Sequence, residues 1–136
     1  SDQRLIAEGL EIKIDLSALS RRTQEKLKKQ SPLARWLEHL VIIRNHCAHH
    51  SRLWNKSFAP VPTAALKTQG QFATLPNGQN ENIFGAIVVM SHLLRVTSPG
   101  TTWPDKVATL LNQDFLQNPL VKASGLGIPD DWSGNF

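Results

Sequence analysis

The residues best suited to chemistry stand together between positions 44 and 55, at the polar end of a segment with helical periodicity. Arg44 carries a permanent charge and two parallel donors that match phosphate oxygens. His49 can accept and return a proton near neutral pH, and Asn45 stands four residues before it, on the same surface of a helix. We therefore predict that Arg44 neutralises phosphate charge, His49 transfers a proton and Asn45 orients the imidazole. The simpler alternative for His49 is a helix-terminal side chain that interacts with the last carbonyls.

A helix must position these groups, and the sequence predicts one that opens at Ser31-Pro32 and runs toward Ser51. Its expected apolar face consists of Leu33, Trp36, Leu37, Leu40 and Val41. Continuing that face by one turn places Arg44 on it. Arg44 is therefore expected at a buried or interfacial surface, where a guanidinium needs an anion or a partner. The single cysteine, Cys47, is expected to be a small buried hydrophobic residue on the same face.

The remainder of the chain predicts further helices and one long connection. The segment from Asn82 to Val96 has the length and periodicity of a buried helix, although its β-branched residues leave a strand open. Another helix is expected to begin near Pro104 or Asp105. Its expected apolar positions are Val107, Leu110 and Leu111. After Trp54, prolines and glycines mark an irregular connection longer than about 20 residues.

The string RNHCAHHSRLWN, residues 44–55, resembles the signature segment of the Abi-like (abortive infection) branch of HEPN ribonuclease domains. The motif R-N-x-x-x-H of that superfamily falls on Arg44, Asn45 and His49. The tail GLGIPDDW, residues 125–132, resembles the family's C-terminal G-x-P-x-x-W segment. The resemblance implies an all-α fold, a HEPN-like helical bundle with a long irregular connection after the signature helix. It also implies metal-independent cleavage of RNA at a site completed by two HEPN domains.

A single domain is expected at this chain length. Residues 16–136 would form the HEPN-like helical domain that carries the signature, and residues 1–15 resemble the family's opening helix. Residues 13–30 arrive sooner than in the family's usual pattern, in which a long helical segment precedes the signature helix. The chain is therefore expected to be a short member, a fragment, or a sequence that lacks an internal stretch.

The motif and the resemblance together predict an endoribonuclease of an abortive-infection (phage defence) or toxin type. The neighbouring 2′-hydroxyl of RNA would attack the phosphate, so no metal and no other cofactor is expected. Arg44 and His49 are five residues apart, which is about 140° around an ideal helix. One chain therefore does not aim both side chains at one phosphate, and a homodimer with the signature helices at or near its axis is predicted. RNA is the expected substrate, and a neutralising partner of unknown type is a further expectation.

Other functions remain open from the sequence. A non-catalytic RNA-binding or regulatory module would hold RNA with Arg44 and the basic residues of the chain. A pure interaction module would use the signature helix as a dimerisation surface, with Arg44 paired to an acid and His49 inaccessible. Zinc is a weaker alternative, because His46 and His50 are one turn apart but no acidic or cysteine ligand stands at the expected spacing.

Further RNA contacts are predicted on both sides of the signature helix. His50 and Arg52 extend the signature, although Arg52 could instead pair with an acid such as Glu38. The segment before the helix adds the basic residues Arg21, Arg22, Lys26, Lys28 and Lys29. These predict either a track for the RNA backbone or a solvated face. Trp54 is interpreted as a core residue rather than a base-stacking one.

Composition limits the class of protein. Fifteen Lys and Arg against 11 Asp and Glu give a net charge of +4, which favours an anionic partner. One cysteine cannot form an internal disulfide, and this predicts a reducing cytoplasm. The sequence contains no signal peptide and no apolar run of membrane-spanning length, so no membrane partner is expected.

Overall fold

The computed structural model describes residues 17, 20–22, 24–25, 32–58 and 81–136. Within these residues the regular structure is helical and contains no strand, so the all-α prediction is confirmed for the part described. Helix α1 is Pro32–Ala48, helix α2 is Ile83–Thr97 and helix α3 is Trp103–Thr109. α2 packs against both α1 and α3. The HEPN-like arrangement and the domain boundaries stay predictions, and the segment 1–15 lies outside the described residues.

Helix α1 begins at Pro32, as predicted, and ends at Ala48. Its C-terminus is capped by a Schellman motif that contains no glycine. The His50 N–H donates to the Cys47 carbonyl at 3.0 Å, and the Ser51 N–H donates to the His46 carbonyl at 2.8 Å. The first residue beyond the helix cap in this motif adopts a left-handed backbone conformation, and His50 does so with φ of 52°. His49 is therefore the last residue before the chain turns out of the helix.

The face of α1 that is buried differs from the prediction. Trp36, His39 and Ile43 are buried, whereas Leu37 is 50% exposed and Val41 is 57% exposed. Apolar residues cover more than one side of this helix, and periodicity alone does not say which side meets the rest of the chain. The predicted face therefore splits into a buried half and an exposed half.

Arg44 and Cys47 are both exposed. The expectation that Cys47 is a buried hydrophobic residue was wrong, because Cys47 stands in the last turn of α1, one turn beyond the buried Ile43, where the helix is no longer covered. Arg44 is likewise exposed, so its guanidinium is not buried within the single chain.

Helix α2 confirms the prediction of a buried helix and excludes the strand alternative. Eight of its 15 residues are buried, because apolar side chains surround it on most sides. It contributes to a core whose buried members are Ile43, Phe58, Ile83, Phe84, Ala86, Leu111, Leu126 and Ile128. These residues come from α1, the irregular segment after it, α2 and the chain after α3, so one core joins these elements.

Helix α3 begins at Trp103, close to the predicted start, and has Pro104 in its first turn. It continues as a π-helical stretch, Leu110–Phe115, in which the Leu116 N–H donates to the Leu111 carbonyl at 2.8 Å. The wider turn leaves Leu111 buried and Leu110 55% exposed, so Leu110 is not the core position that the sequence predicted.

The C-terminal tail covers the end of the core. After a short 3₁₀ turn, Ala123–Leu126, the Trp132 and Phe136 rings pack against Phe84, with ring centroids 5.9 and 5.5 Å from the Phe84 centroid. Arg95 donates to the Phe136 carbonyl. The tail thus closes over α2.

The chain is irregular from residue 49 to residue 58. Most of the long connection predicted after Trp54 falls in residues 59–80, which lie outside the described part of the chain, so its length stays a prediction. No helix within the described residues has both the length and the apolar character needed to cross a membrane.

Candidate functional site

Arg44 and Asn45 form a hydrogen-bonded pair near the C-terminal end of α1. The Arg44 Nη1 donates to the Asn45 Oδ1 at 2.9 Å, and both side chains are exposed. In the described part of the chain the guanidinium has no acidic partner. Its positive charge is therefore not neutralised by a carboxylate there, and it remains suitable for an anion such as phosphate.

His49 lies exposed at the point where α1 ends. The backbone N–H of His49 donates to the backbone carbonyl of Asn45 at 3.0 Å, which continues the helical hydrogen-bond pattern by one residue. Among residues 32–58 and 81–136, no hydrogen bond or ring contact involves the imidazole. The Asn45 Oδ1 is taken by Arg44, so the amide Nδ2 is the group that remains for orienting His49. The predicted Asn45–His49 interaction is therefore still a prediction.

The side chains of the two candidate residues, Arg44 and His49, leave the helix in different directions. An intact helical bond at His49 means that helical geometry still relates it to Arg44, with about 140° between the two directions. Both groups are exposed, yet a single chain does not direct them toward one phosphate. A second copy would be needed to bring an arginine and a histidine together.

His46 has a packing role instead of a free position in the site. Its ring meets Phe58 edge to face, with centroids 5.4 Å apart, and the centroid of the His39 ring lies 6.0 Å from that of the same phenylalanine. Phe58 is buried and is held by a hydrogen bond of 2.8 Å from its N–H to the Glu81 carbonyl. The two histidines therefore anchor the chain after α1 against the helix.

The zinc alternative was based on the one-turn spacing of His46 and His50. His46 is engaged with Phe58, and His50 has left the helix in a left-handed conformation, so the one-turn spacing of the pair no longer applies. Within the described residues, no group of three or more potential metal ligands occurs.

Arg52 lies over the indole of Trp54, with the guanidinium carbon 6.0 Å from the ring centroid. The alternative pairing with Glu38 is not formed, because Glu38 accepts from Arg35 at 3.0 Å. Arg52 is exposed, so its charge remains available to an anion while its plane covers an aromatic ring. His50 is also exposed.

Trp54 is a half-buried residue that connects the signature segment to the C-terminal part of the chain. Its Nε1 donates to the Lys122 carbonyl at 3.2 Å, and the next residue, Asn55, donates its N–H to the Gly125 carbonyl at 2.6 Å. The indole lies so close to Gly125 that a Cβ there would be 2.2 Å from Nε1. The interpretation of Trp54 as a packing residue agrees with these contacts.

Sequence reasoning missed a surface groove beside this tryptophan. The groove has a volume of about 340 Å³ and is lined by Trp54, Asn55, Leu120, Lys122, Ser124 and Gly125. Leu120 and Lys122 lie far along the sequence from the signature and belong to no motif. Only the docking of Trp54 on residues 122–125 brings them together. The glycine at 125 was a visible signal, since close contact with a large ring needs a residue without a side chain.

The basic segment before α1 is described only in part. Arg21 and Arg22 are helical and exposed, which agrees with either an RNA track or a solvated face. Lys26, Lys28 and Lys29 lie outside the described residues, so the predicted cluster stays a prediction.

Comparison with known proteins supports the resemblance in the first part of the chain. A family model described as Abi-like protein matches residues 1–55. The matched range includes α1 and the whole segment from Arg44 to Asn55, and it ends before α2. Over these residues the chain is similar to Abi-like proteins. The tail at 125–132 lies outside the match. No curated protein and no solved structure matches the chain.

Proposed function

We propose that this chain is a metal-independent endoribonuclease of the abortive-infection type, with a site completed by two copies. The observation that carries the proposal is the exposure of Arg44 and His49 at the same end of α1. Cleavage through the neighbouring 2′-hydroxyl needs a group that moves protons and a cation for the crowded anionic phosphate. His49 supplies the first and Arg44 the second, while the bond to neutral Asn45 leaves the arginine's charge intact.

An exposed apolar stripe on α1 supports pairing with a second copy. Leu37, Val41 and Arg44 fall within about 60° around the helix, and the two apolar members are at least half exposed. They adjoin a shallow groove lined by Ala34, Leu37, Glu38, Val41 and Ile42. Covering this stripe with the same stripe of another copy removes apolar surface from water and brings the two Arg44 residues toward a twofold axis. The second copy would also supply the histidine or arginine that a single chain does not direct toward the same phosphate.

The first test is cleavage of single-stranded RNA by the purified chain in excess chelator, with Arg44→Ala and His49→Ala variants. We expect the parent to release 2′,3′-cyclic phosphate ends, and each variant to lose about 100-fold or more of the rate. Both substituted side chains are exposed, so circular dichroism should show unchanged folding. Cleavage that disappears with chelator and returns with zinc would overturn the mechanism.

Mixing the two inactive variants tests the composite site. If Arg44 of one chain acts with His49 of its partner, a mixed dimer has one complete site and one site that lacks both groups. With random exchange, about one quarter of the parent rate returns, because half of the dimers are mixed and each has one of two sites. No recovery after verified subunit exchange would mean that each chain acts alone.

The alternative is a non-catalytic RNA-binding or regulatory module. The Arg44–Asn45 hydrogen bond favours this alternative, because the side-chain oxygen Oδ1 of Asn45 accepts from Arg44 instead of orienting His49. RNA binding that depends on Arg44 but leads to no cleavage by the parent would select this function.

A further inference from the structure

A groove outside the signature carries a combination of groups that suits a nucleotide. One wall is the half-buried Trp54, and Leu120, which is 82% exposed, lies at the same groove. Lys122 and Ser124 bring a cation and a hydroxyl, and the guanidinium carbon of Arg52 lies 6.0 Å from the centroid of the Trp54 ring. A base needs a flat apolar contact, and its phosphate needs a nearby cation, so this set satisfies both parts of one nucleotide.

The groove is held in shape before any ligand arrives. The Trp54 Nε1–H bond to the Lys122 carbonyl fixes the indole, and the Asn55 N–H bond to the Gly125 carbonyl fixes the adjoining backbone. The exposed parts are the side chains of Arg52, Leu120 and Lys122, which have no structural role in these bonds. Binding would therefore order few groups and leave the backbone unchanged.

Its place along the chain links the groove to the proposed site. Trp54 follows His49 by five residues, so the two Cα atoms lie within about 18 Å even if the chain between them is fully extended. A single strand whose phosphate sits at the signature can therefore place a nearby nucleotide in the groove.

We propose that this groove is a nucleotide subsite for single-stranded RNA, in which a base packs on the exposed Leu120 beside the half-buried Trp54 while Arg52 and Lys122 bind its phosphate. The proposal takes its substrate class from the proposed ribonuclease function. It adds residues that hold RNA beside the cleaved bond and do not take part in the chemistry.

The test compares a Leu120→Ala/Lys122→Gln variant with the control Lys106→Gln, which removes an exposed lysine from α3. The affinity for a single-stranded RNA oligonucleotide is measured in the His49→Ala background, where cleavage does not interfere. We expect the double variant to bind at least about 5-fold more weakly, since it loses the apolar contact of Leu120 with the base and the contact of Lys122 with the phosphate. The dependence of log affinity on log salt should also become shallower by about 0.7. The control should match the background protein in both measurements.

Kinetics and spectroscopy separate a subsite from an indirect effect. With His49 present, the double variant should raise KM for a long RNA and leave kcat and the cleavage of a dinucleotide unchanged. The indole N–H resonance of Trp54, assigned from a Trp54→Phe variant, should shift with added RNA, while that of buried Trp36 should not.

The outcomes distinguish this proposal from the function on which it rests. RNA affinity equal to that of Lys106→Gln, in a protein that cleaves RNA, overturns the subsite and leaves the ribonuclease intact. Affinity that depends on Leu120 and Lys122 without any cleavage supports the subsite and rejects the ribonuclease. Absence of RNA binding in the parent overturns both.

Discussion

Replacing Gly125 with alanine tests how the signature segment is joined to the C-terminal part of the chain. The new Cβ would lie 2.2 Å from the Trp54 Nε1 and 2.8 Å from the Cδ1 and Cε2 atoms of the ring. Heavy atoms in ordinary contact are about 3.5–4.0 Å apart. The indole would therefore have to withdraw by more than about 1 Å, which breaks its hydrogen bond to the Lys122 carbonyl.

The expected loss of stability follows from these two effects. Overpacking a well-filled site costs about 1–3 kcal/mol, and loss of one hydrogen bond costs about 1 kcal/mol. We expect the free energy of unfolding to fall by about 2–4 kcal/mol in total. For a chain of this size the melting temperature should fall by roughly 6–12 °C.

A second glycine provides a matched control. Gly100 has φ of +87° and nothing within 4 Å of a built Cβ, so Gly100→Ala adds backbone strain without a clash. That strain costs about 1 kcal/mol. Urea unfolding followed by tryptophan fluorescence and far-UV circular dichroism gives both values, provided that the two m-values agree. A Gly125→Ala protein as stable as the Gly100→Ala protein would refute the close packing of Trp54 on this turn.

Two further predictions concern α1. His50 has φ of 52°, so a His50→Gly variant should be more stable to urea than a His50→Ala variant by about 1 kcal/mol, because glycine adopts a left-handed backbone without strain. Both variants lose the imidazole, so their RNA affinities should agree. Equal stabilities would contradict backbone strain at this position. Val41→Asp should dissociate the proposed dimer in sedimentation experiments, because it puts a charge on the exposed stripe of α1. The control Leu110→Asp, at a similarly exposed leucine outside the stripe, should leave the dimer intact. An unchanged dimer in the Val41 variant would place the interface elsewhere.

Local patterns in the sequence were sufficient for the helices and for the choice of candidate residues. The length and apolar content of the segment after Asn82 predicted α2, and Pro32 predicted the start of α1. The signature marked Arg44 and His49, and both are exposed at the end of α1. These features depend on residues within a few turns of each other, which is why the sequence alone was informative.

The tertiary structure decided which surfaces those helices bury. Two apolar stripes run along α1, and only the packing of Phe58 and α2 selects the one with Trp36 and Ile43, which leaves Leu37 and Val41 outside. The groove at Trp54 depends on contacts with residues almost seventy positions later, and no local pattern encodes such a pairing. Sequence alone therefore determined the local helices and the chemical groups of the candidate site. Burial and long-range contacts depend on the whole folded chain, so only the tertiary structure decided what surrounds those groups.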